Sequence, residues 1–256
     1  MRIGLCGNLN QLVSGVPGLD YLEVPLREWL CPQEDDGDFR QRLKVVNASP
    51  VPVEIGMLLF APDFKTIGPQ VNSAILDAYM AIVFDRARQA GMEIIVYGSG
   101  KSRAMPEGFE SQGRRQLVDH LRRWGPLAAS AGVTLVLELL HKGETNIVNS
   151  LHEAAELVRQ VGQPSIRVVA DTYHMAKEGE GWESIAQAAD LVVHAHCAES
   201  DGRTPLGVKG EDHRPYFKAL KASGYDGRVS IEARFTDLPS QLPAAIAELR
   251  RQWETA

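Results

Sequence analysis

Four apolar runs in the second half of the chain end at or near a side chain that can bind a metal ion. The runs are "VTLVLEL" (133–139), "IRVVAD" (166–171), "LVVHAHC" (191–197) and "VSIEAR" (229–234). Their polar residues are Glu138, Asp171, His196 and Glu232. Clustered carboxylates repel one another unless a cation lies between them. One imidazole with three carboxylates suits Mn²⁺, Co²⁺, Mg²⁺ or Zn²⁺, so the pattern predicts one divalent metal site.

Strand-like and helix-like patterns alternate along the whole chain. Further candidate strands lie at 2–6, 21–25, 53–59 and 93–98, and the clearest helical patterns at 70–90, 112–131, 151–161 and 240–253. Runs of Val, Ile and Leu without polar alternation are typical of a parallel sheet covered by helices. Eight strand–helix units in 256 residues predict an α/β fold, a single-domain (β/α)₈ TIM barrel over residues 1–256. An open doubly wound sheet is disfavoured because "GSGKSR" (98–103) lacks the spacing of a phosphate-binding loop.

Two helical segments carry weaker signals. The interval 7–19 predicts no more than a turn of helix, and Pro126 predicts a kink or a restart within 112–131.

Active sites of such barrels form at the C-terminal ends of the strands. The four candidate ligands end consecutive strands, so we expect them at one point of the barrel mouth. His174 follows Asp171 by three residues and is expected to stand beside the metal, where it can touch a substrate. Side chains alternate along a strand. Cys197 is therefore expected to face the helices, and His194 to face the barrel interior or to support His196.

Other polar and aromatic residues admit two readings. Glu23 ends the second strand, where it could contact a substrate or be a charged residue at the rim of the barrel. Lys101 and Arg103 could bind a phosphate or be solvated, and His141 and Lys142 could meet a substrate or be solvated. We interpret all four as loop residues without a specific role. Four aromatic residues of the early loops are candidates for the pocket wall: Trp29, Phe60, Phe64 and Phe109.

Composition excludes several classes of protein. The chain is 44% hydrophobic and 23% charged, as in an ordinary globular protein. Its net charge of −6 and lack of a basic run argue against a nucleic-acid partner. No segment approaches the roughly 20 apolar residues of a membrane span, and the N-terminus does not read as a signal peptide. Three scattered cysteines fit a reducing compartment, so we expect a cytoplasmic protein.

Four short motifs carry a resemblance to a known family. They are "LELLHKGETN" (137–146), "ADTYHM" (170–175), "HAHCAESDGR" (194–203) and "SIEAR" (230–234). Together they resemble the sugar phosphate isomerase/epimerase group of xylose isomerase-like TIM barrels, which includes ketose 3-epimerases of the tagatose and psicose type.

The resemblance implies a role for each matching residue. Glu138, Asp171, His196 and Glu232 would bind one divalent cation, with Glu138 and Glu232 also forming the acid/base pair. Glu144 and His174 would hydrogen-bond a sugar, and Arg203 would reach its hydroxyls or a phosphate. The related barrels are often dimers or tetramers, so a homo-oligomer is compatible with the resemblance.

The chemistry of the donor set agrees with this reading. A metal that chelates a carbonyl and the adjacent hydroxyl acidifies the neighbouring C–H bond and stabilises a metal-bound enediolate. Two carboxylates on opposite sides of that carbon can remove and return a proton, which predicts a sugar epimerase or isomerase acting on a ketose or related keto-sugar. Loss of water from the same enediolate, as in a keto-inositol dehydratase-type lyase, is the alternative.

Two further alternatives are less favoured. An endonuclease IV-like phosphodiesterase needs additional histidines after strands two to four, where this chain has "LEVP", "MLLF" and "YGSG". An accessory subunit with a structural metal would have no need of Glu144 and His174 beside the four candidate ligands.

Overall fold

Eight runs of aliphatic and β-branched residues form a closed parallel barrel, in which the strands follow one another in chain order and β8 pairs with β1. The computed structural model describes residues 1–11 and 15–256, without the side chain of Gln11. The strands are β1 (Arg2–Cys6), β2 (Tyr21–Pro25), β3 (Val53–Met57), β4 (Ile94–Tyr97), β5 (Thr134–Glu138), β6 (Ile166–Asp171), β7 (Val192–Cys197) and β8 (Arg228–Ile231). The predicted (β/α)₈ barrel is confirmed.

Helices cover the outside of the barrel. They are α1 (Leu26–Trp29), α2 (Asp36–Asn47), α3 (Ser73–Gln89), α4 (Gly100–Arg103), α5 (Glu110–Ala131), α6 (Leu151–Val161), α7 (Thr172–Lys177), α8 (Glu183–Gln187), α9 (Arg214–Ala222) and α10 (Leu238–Glu254). Gly132 and Gly162 end α5 and α6 in the left-handed conformation, at φ 70° and 69°. No helix of the described residues is long and apolar enough to cross a membrane.

The structure corrects several predicted bounds. Strand three ends at Met57 rather than 59, because Leu58 has a φ of 53° that no strand residue adopts. Helix α5 runs without a restart through Pro126, since Leu121, Trp124 and Ala128 bury one continuous face on both sides of the proline. Of the interval 7–19, Leu9–Gln11 forms a short 3₁₀ helix, and 12–14 lie outside the described residues.

Two apolar layers position the polar residues of the mouth. The larger cluster lies between strands and helices and contains Cys197, as its strand position predicts. The smaller consists of strand residues alone: Tyr21, Ile55, Ile94, Val96, Val136 and Val169. Because side chains two apart share a face, Val136 and Glu138 point the same way, as do Val169 and Asp171. The barrel interior is therefore apolar below and polar at its C-terminal mouth.

One buried histidine gives the fold a titratable weak point. His120 on α5 is 1% exposed, stacks on Trp124 with ring centroids 5.3 Å apart, and has Nε2 3.3 Å from Ser73 Oγ. Burial, helped by Arg123, lowers the pKa of His120 from its ordinary value to about 4. The folded state therefore binds this proton less readily than the unfolded state, and stability falls as the pH drops from about 6.5 towards 4.

We expect His120→Phe to reduce acid sensitivity. Because the pKa of His120 is lower in the folded state, this residue alone should lower the free energy of unfolding by about 2 kcal/mol between pH 7 and pH 5. Urea unfolding at the two pH values measures this loss of unfolding free energy. The loss should be smaller than in wild type by that amount in His120→Phe. It should equal that of wild type in the control His152→Phe, on the exposed surface of α6. Equal losses in wild type and His120→Phe would contradict the assignment.

Candidate active site

The parallel register brings the four strand-end residues to one point. Asp171 pairs with His196 across β6 and β7, and His196 with Ser230 across β7 and β8. His196 Nδ1 lies 2.9 Å from Glu138 Oε1, 3.0 Å from Glu232 Oε2 and 3.6 Å from Asp171 Oδ2. One donor atom from each of the four lies within 4.8 Å of the others. Donors that share one cation at about 2.0–2.2 Å are separated by up to about 4.4 Å, so the cluster is close to that size.

The charges of this cluster fit a cation. Asp171 Oδ1 accepts the backbone N–H of His174 at 3.0 Å and caps α7, whereas Asp171 Oδ2 is buried and has no hydrogen-bond partner. Burial raises the pKa of Glu138, and Glu232 adds to this effect while the bond to His196 opposes it. For Asp171, His174 and His196 outweigh the effect of burial, so its pKa is lowered. A buried carboxylate oxygen without a donor is a position that a metal ion satisfies.

Gly98, which follows β4, makes room for the carboxylate of Glu138. A Cβ at Gly98 would overlap Glu138 Oε2. Any larger residue at this position would displace Glu138 from the cluster.

Glu23, a carboxylate outside the four-residue cluster, orients the imidazole of His196 from the barrel interior. Glu23 Oε1 lies 3.0 Å from His196 Nε2, and Glu23 Oε2 lies 2.9 Å from His194 Nε2. Ser230 Oγ donates to the same Oε2 at 2.9 Å. Burial lowers the pKa of His196, but Glu23 and the other surrounding acidic groups outweigh it and raise the pKa well above its ordinary value. A cation bound between the carboxylates would replace the proton on Nδ1 while Nε2–H stays donated to Glu23, as in the carboxylate–histidine–metal arrangement.

The structure decides between the open readings of Glu23 and His194. Glu23 is 0% exposed and does not line the cavity over the cluster, so it is neither a rim charge nor placed to contact a substrate. Burial raises the pKa of Glu23, but the imidazoles of His196 and His194 outweigh it and the net pKa lies below its ordinary value. His194 is equally buried and both faces the interior and supports Glu23. The sequence signal for this pair was the two-residue spacing of Tyr21–Glu23 and His194–His196, which places polar residues on the inner face.

The residues expected to bind substrate lie around the cluster. His174 Nδ1 accepts the backbone N–H of His141 at 3.0 Å, and His174 Nε2 is buried without a partner, 3.9 Å from Asp171 Oδ2. Arg203 Nη2 is 2.8 Å from Glu232 Oε2, and its guanidinium lies 4.7 Å above the Tyr173 ring. Glu144 Oε1 is 3.6 Å from Arg203 Nη1. His174 therefore has one nitrogen free to contact a ligand.

A cavity of about 360 Å³ opens over these groups. Its lining includes Glu138, Glu144, His174, Arg203 and Glu232, together with Arg27, Leu58, Phe60, Pro62, Ser99, Gly100, Lys101, Ser102, Leu140 and Gly143. Three lining residues, Leu58, Ser99 and Arg203, have positive φ values of 53°, 44° and 55°. Strained backbone of this kind concentrates at functional sites. Of the four aromatic wall candidates, all within the described ranges, Phe60 alone lines this cavity.

The prediction for Arg103 was wrong. Arg103 is fully buried and donates Nη1 to the Tyr97 carbonyl at 2.8 Å and Nη2 to the Glu138 carbonyl at 2.6 Å. It therefore joins the end of β4 to the end of β5 beneath the candidate site. A basic residue in a glycine- and serine-rich loop has no sequence signal that separates this role from a solvated one.

Cys6 is a further potential ligand near the cluster. Cys6 ends β1, and its sulfur lies within 4.8 Å of donor atoms of His196 and Glu232. Burial, reinforced by Glu23, raises the pKa of the Cys6 thiol well above its ordinary value. A raised pKa disfavours the thiolate, which is the form that binds a metal.

The loop that carries Arg203 is held by a buried carboxylate, Glu199. Its Oε1 accepts backbone N–H groups of Gly207 and Gly210 at 3.0 and 2.9 Å, and its Oε2 accepts from Lys209 N and Thr204 Oγ1 at 2.6 and 2.8 Å. Burial raises the pKa of Glu199, but these bonds outweigh it, so the pKa lies below its ordinary value.

We expect Glu199→Gln to loosen this loop. The amide nitrogen cannot accept the hydrogen bonds of one carboxylate oxygen, and unsatisfied buried donors cost about 1–3 kcal/mol. Urea unfolding should show that loss, and trypsin should cleave after Lys209 faster than in wild type. Glu156→Gln, on the exposed face of α6, is the control and should change neither. Unaltered stability and cleavage in Glu199→Gln would show that the loop holds without the charge.

Comparisons with known proteins agree with this fold. A family model described as "Xylose isomerase-like TIM barrel" matches residues 59–253. A ketose 3-epimerase from Arthrobacter globiformis is 33% identical over 107 residues, 41% of this chain and 37% of that protein. An L-ribulose 3-epimerase from Methylomonas sp. is 32% identical over 129 residues, 50% of this chain and 45% of that protein. These alignments span less than half the length of either relative.

A solved structure extends the comparison to nearly the whole chain. The apo form of 3-keto-D-glucoside 4-epimerase from E. coli superposes with a TM-score of 0.78 at 19% identity, and the match covers 98% of this chain and 99% of that one. At that identity the likeness concerns the fold. The family model covers most of the chain, including all four strand ends of the cluster, and the chain belongs to the xylose isomerase-like TIM barrel family.

Proposed function

We propose that the protein is a divalent-metal-dependent sugar epimerase or isomerase that moves a proton on the carbon next to a carbonyl of a ketose or related keto-sugar. The observation that carries the proposal is the convergence of Glu138, Asp171, His196 and Glu232, with Asp171 Oδ2 buried and unpartnered. Sugar epimerases among the relatives support the reaction class.

Each residue has a task that its position allows. The four clustered residues would hold the cation, which supplies Lewis-acid polarisation of the substrate carbonyl when bound. Glu138 and Glu232 project from β5 and from the end of β8, and they would exchange a proton with the two faces of the reacting carbon. His174 Nε2, Glu144 and Arg203 would hydrogen-bond the sugar hydroxyls. Arg203 would also keep the Glu232 carboxylate aimed into the cavity.

Metal analysis followed by deuterium wash-in tests this proposal. We expect one divalent ion per chain, and deuterium from heavy water on the carbon next to the carbonyl of at least one ketose or keto-inositol in a panel. Treatment with a chelator should abolish wash-in, and a divalent ion should restore it. Product analysis then separates an epimer, an aldose–ketose isomer and a dehydrated product. Absence of bound metal, or metal without exchange across the panel, would overturn the proposal.

A further inference from the structure

The cavity over the candidate site has two chemically different sides. Its carboxylates come from β5, the loop after β5, and the end of β8. The lining that follows β2, β3 and β4 consists of Arg27, Leu58, Phe60, Pro62, Ser99, Gly100, Lys101 and Ser102. That side thus carries two cations and no acidic residue.

The cations of this side lack carboxylate partners. Within residues 1–11 and 15–256, no carboxylate oxygen lies within 4 Å of the charged nitrogens of Arg27, Lys101 or the neighbouring Lys65. Other basic residues at the mouth are paired: Arg203 with Glu232, and Lys142 with Glu178 at 3.0 Å. Asp63 belongs to the loop after β3 but does not line the cavity.

Backbone carbonyls on this side of the cavity accept hydrogen bonds from Arg27 and from the neighbouring Lys65. Arg27 Nε donates to the Leu58 carbonyl at 3.0 Å, and among the described residues both terminal guanidinium nitrogens lack a protein acceptor. Lys65 Nζ donates to the Lys101 carbonyl at 2.7 Å and to the Pro62 carbonyl at 3.0 Å, which connects the loops after β3 and β4. Arg27 is half-buried, so its charge is partly shielded from solvent, whereas Lys101 is exposed. A guanidinium with two free terminal nitrogens and an ammonium that line one cavity suit an oxyanion.

We propose that the substrate carries an anionic group, a phosphate or a carboxylate, on the end remote from the reacting carbon, and that Arg27 and Lys101 bind it. The inference rests on the proposed function, which places the reacting carbon at Glu138 and Glu232. A sugar that spans the mouth from these two glutamates reaches the β2–β4 side with its far end. The neutral wall of Leu58, Phe60 and Pro62 lies beneath that path.

Calorimetric binding to the metal-loaded protein tests the anion site separately from turnover. The probes are D-fructose, D-fructose 6-phosphate and D-fructuronate, which share a ketose end and differ in the far group. We expect at least one anionic sugar to bind about ten- to a hundredfold more tightly than D-fructose, in line with a charge-assisted hydrogen bond. The preferred anion distinguishes a phosphate site from a carboxylate site.

Variants assign the preference to the two cations. Arg27→Gln combined with Lys101→Gln should bring the anionic sugar to the affinity of D-fructose. Lys101→Gln alone should lose part of the preference, and it leaves the bond from Arg27 to Leu58 intact. Arg40→Gln combined with Lys44→Gln, on the exposed face of α2, makes the same change of net charge and should retain the preference.

Equal affinities for the three sugars, or a preference that survives the double variant, would overturn the anion site. Deuterium wash-in measured in parallel reports on the proposed function. Tight anionic binding without exchange would sustain the anion site and refute the epimerase or isomerase activity.

Discussion

Glu138→Gln and Glu232→Gln should each lower the rate of substrate epimerisation by about 10²–10⁴-fold. Each variant keeps a side-chain oxygen for a cation but loses a group that can accept and return a proton, and general acid–base catalysis contributes about that factor. The assay is the steady-state kcat on the substrate identified by deuterium wash-in. Glu156→Gln, on the exposed face of α6, should retain wild-type kcat.

The isotope pattern distinguishes two proton-transfer groups from one. If Glu138 and Glu232 serve opposite faces of the same carbon, each variant should lose net epimerisation. Each should nevertheless wash deuterium into one epimer, because the remaining carboxylate still exchanges the proton on its own face. The epimer that exchanges should differ between the two variants. Exchange of both epimers in either variant would contradict the two-group assignment.

Glu23→Gln should weaken divalent metal binding by about 10–100-fold. Glu23 never reaches the cation position in this arrangement, but it accepts the Nε2–H of His196 at 3.0 Å and so keeps Nδ1 free to coordinate. Loss of such a carboxylate behind a metal-binding histidine typically has an effect of that size. Titration of the chelator-treated variant with Mn²⁺ or Co²⁺ measures the affinity, and thermal unfolding checks that the variant is folded.

A carboxylate at the other end of the barrel is the matched control. Glu54 accepts from Arg2 Nη1 at 2.7 Å and from Arg228 Nε at 2.6 Å at the N-terminal end of the strands. Glu54→Gln should lower the free energy of unfolding and leave metal affinity unchanged. Equal metal affinity in Glu23→Gln and wild type would show that His196 is oriented without Glu23.

The barrel and the positions of its mouth residues were predictable from local pattern. Parallel strands covered by helices appear as continuous apolar runs, and eight such runs leave few alternatives to a closed barrel. Because side chains alternate with a period of two, Glu138 and Asp171 had to share the inner face with Val136 and Val169, and His196 with His194. The strand bounds were less certain, since a residue such as Leu58 leaves the strand through a left-handed φ that its type does not announce.

The partners of these residues depended on contacts between distant segments. Glu23 and His196 are 173 positions apart. A glutamate at a strand end reads equally well as a rim charge until β8 pairs with β1 and the closed barrel brings the inner faces of β2 and β7 together. Arg103 looked solvated because its two carbonyl acceptors belong to β4 and β5 and are not encoded in its own loop.

Local periodicity thus specified which face each side chain occupies, and barrel closure specified which side chains meet. A strand's alternation is a property of its own backbone and can be seen in a single sequence. Hydrogen bonds such as those of Glu23 to His194 and His196 join strands far apart in the chain, and the spacing within any one segment does not record them. The same holds for Arg27 and Lys101, which share a cavity only because the loops after β2 and β4 meet at the barrel mouth.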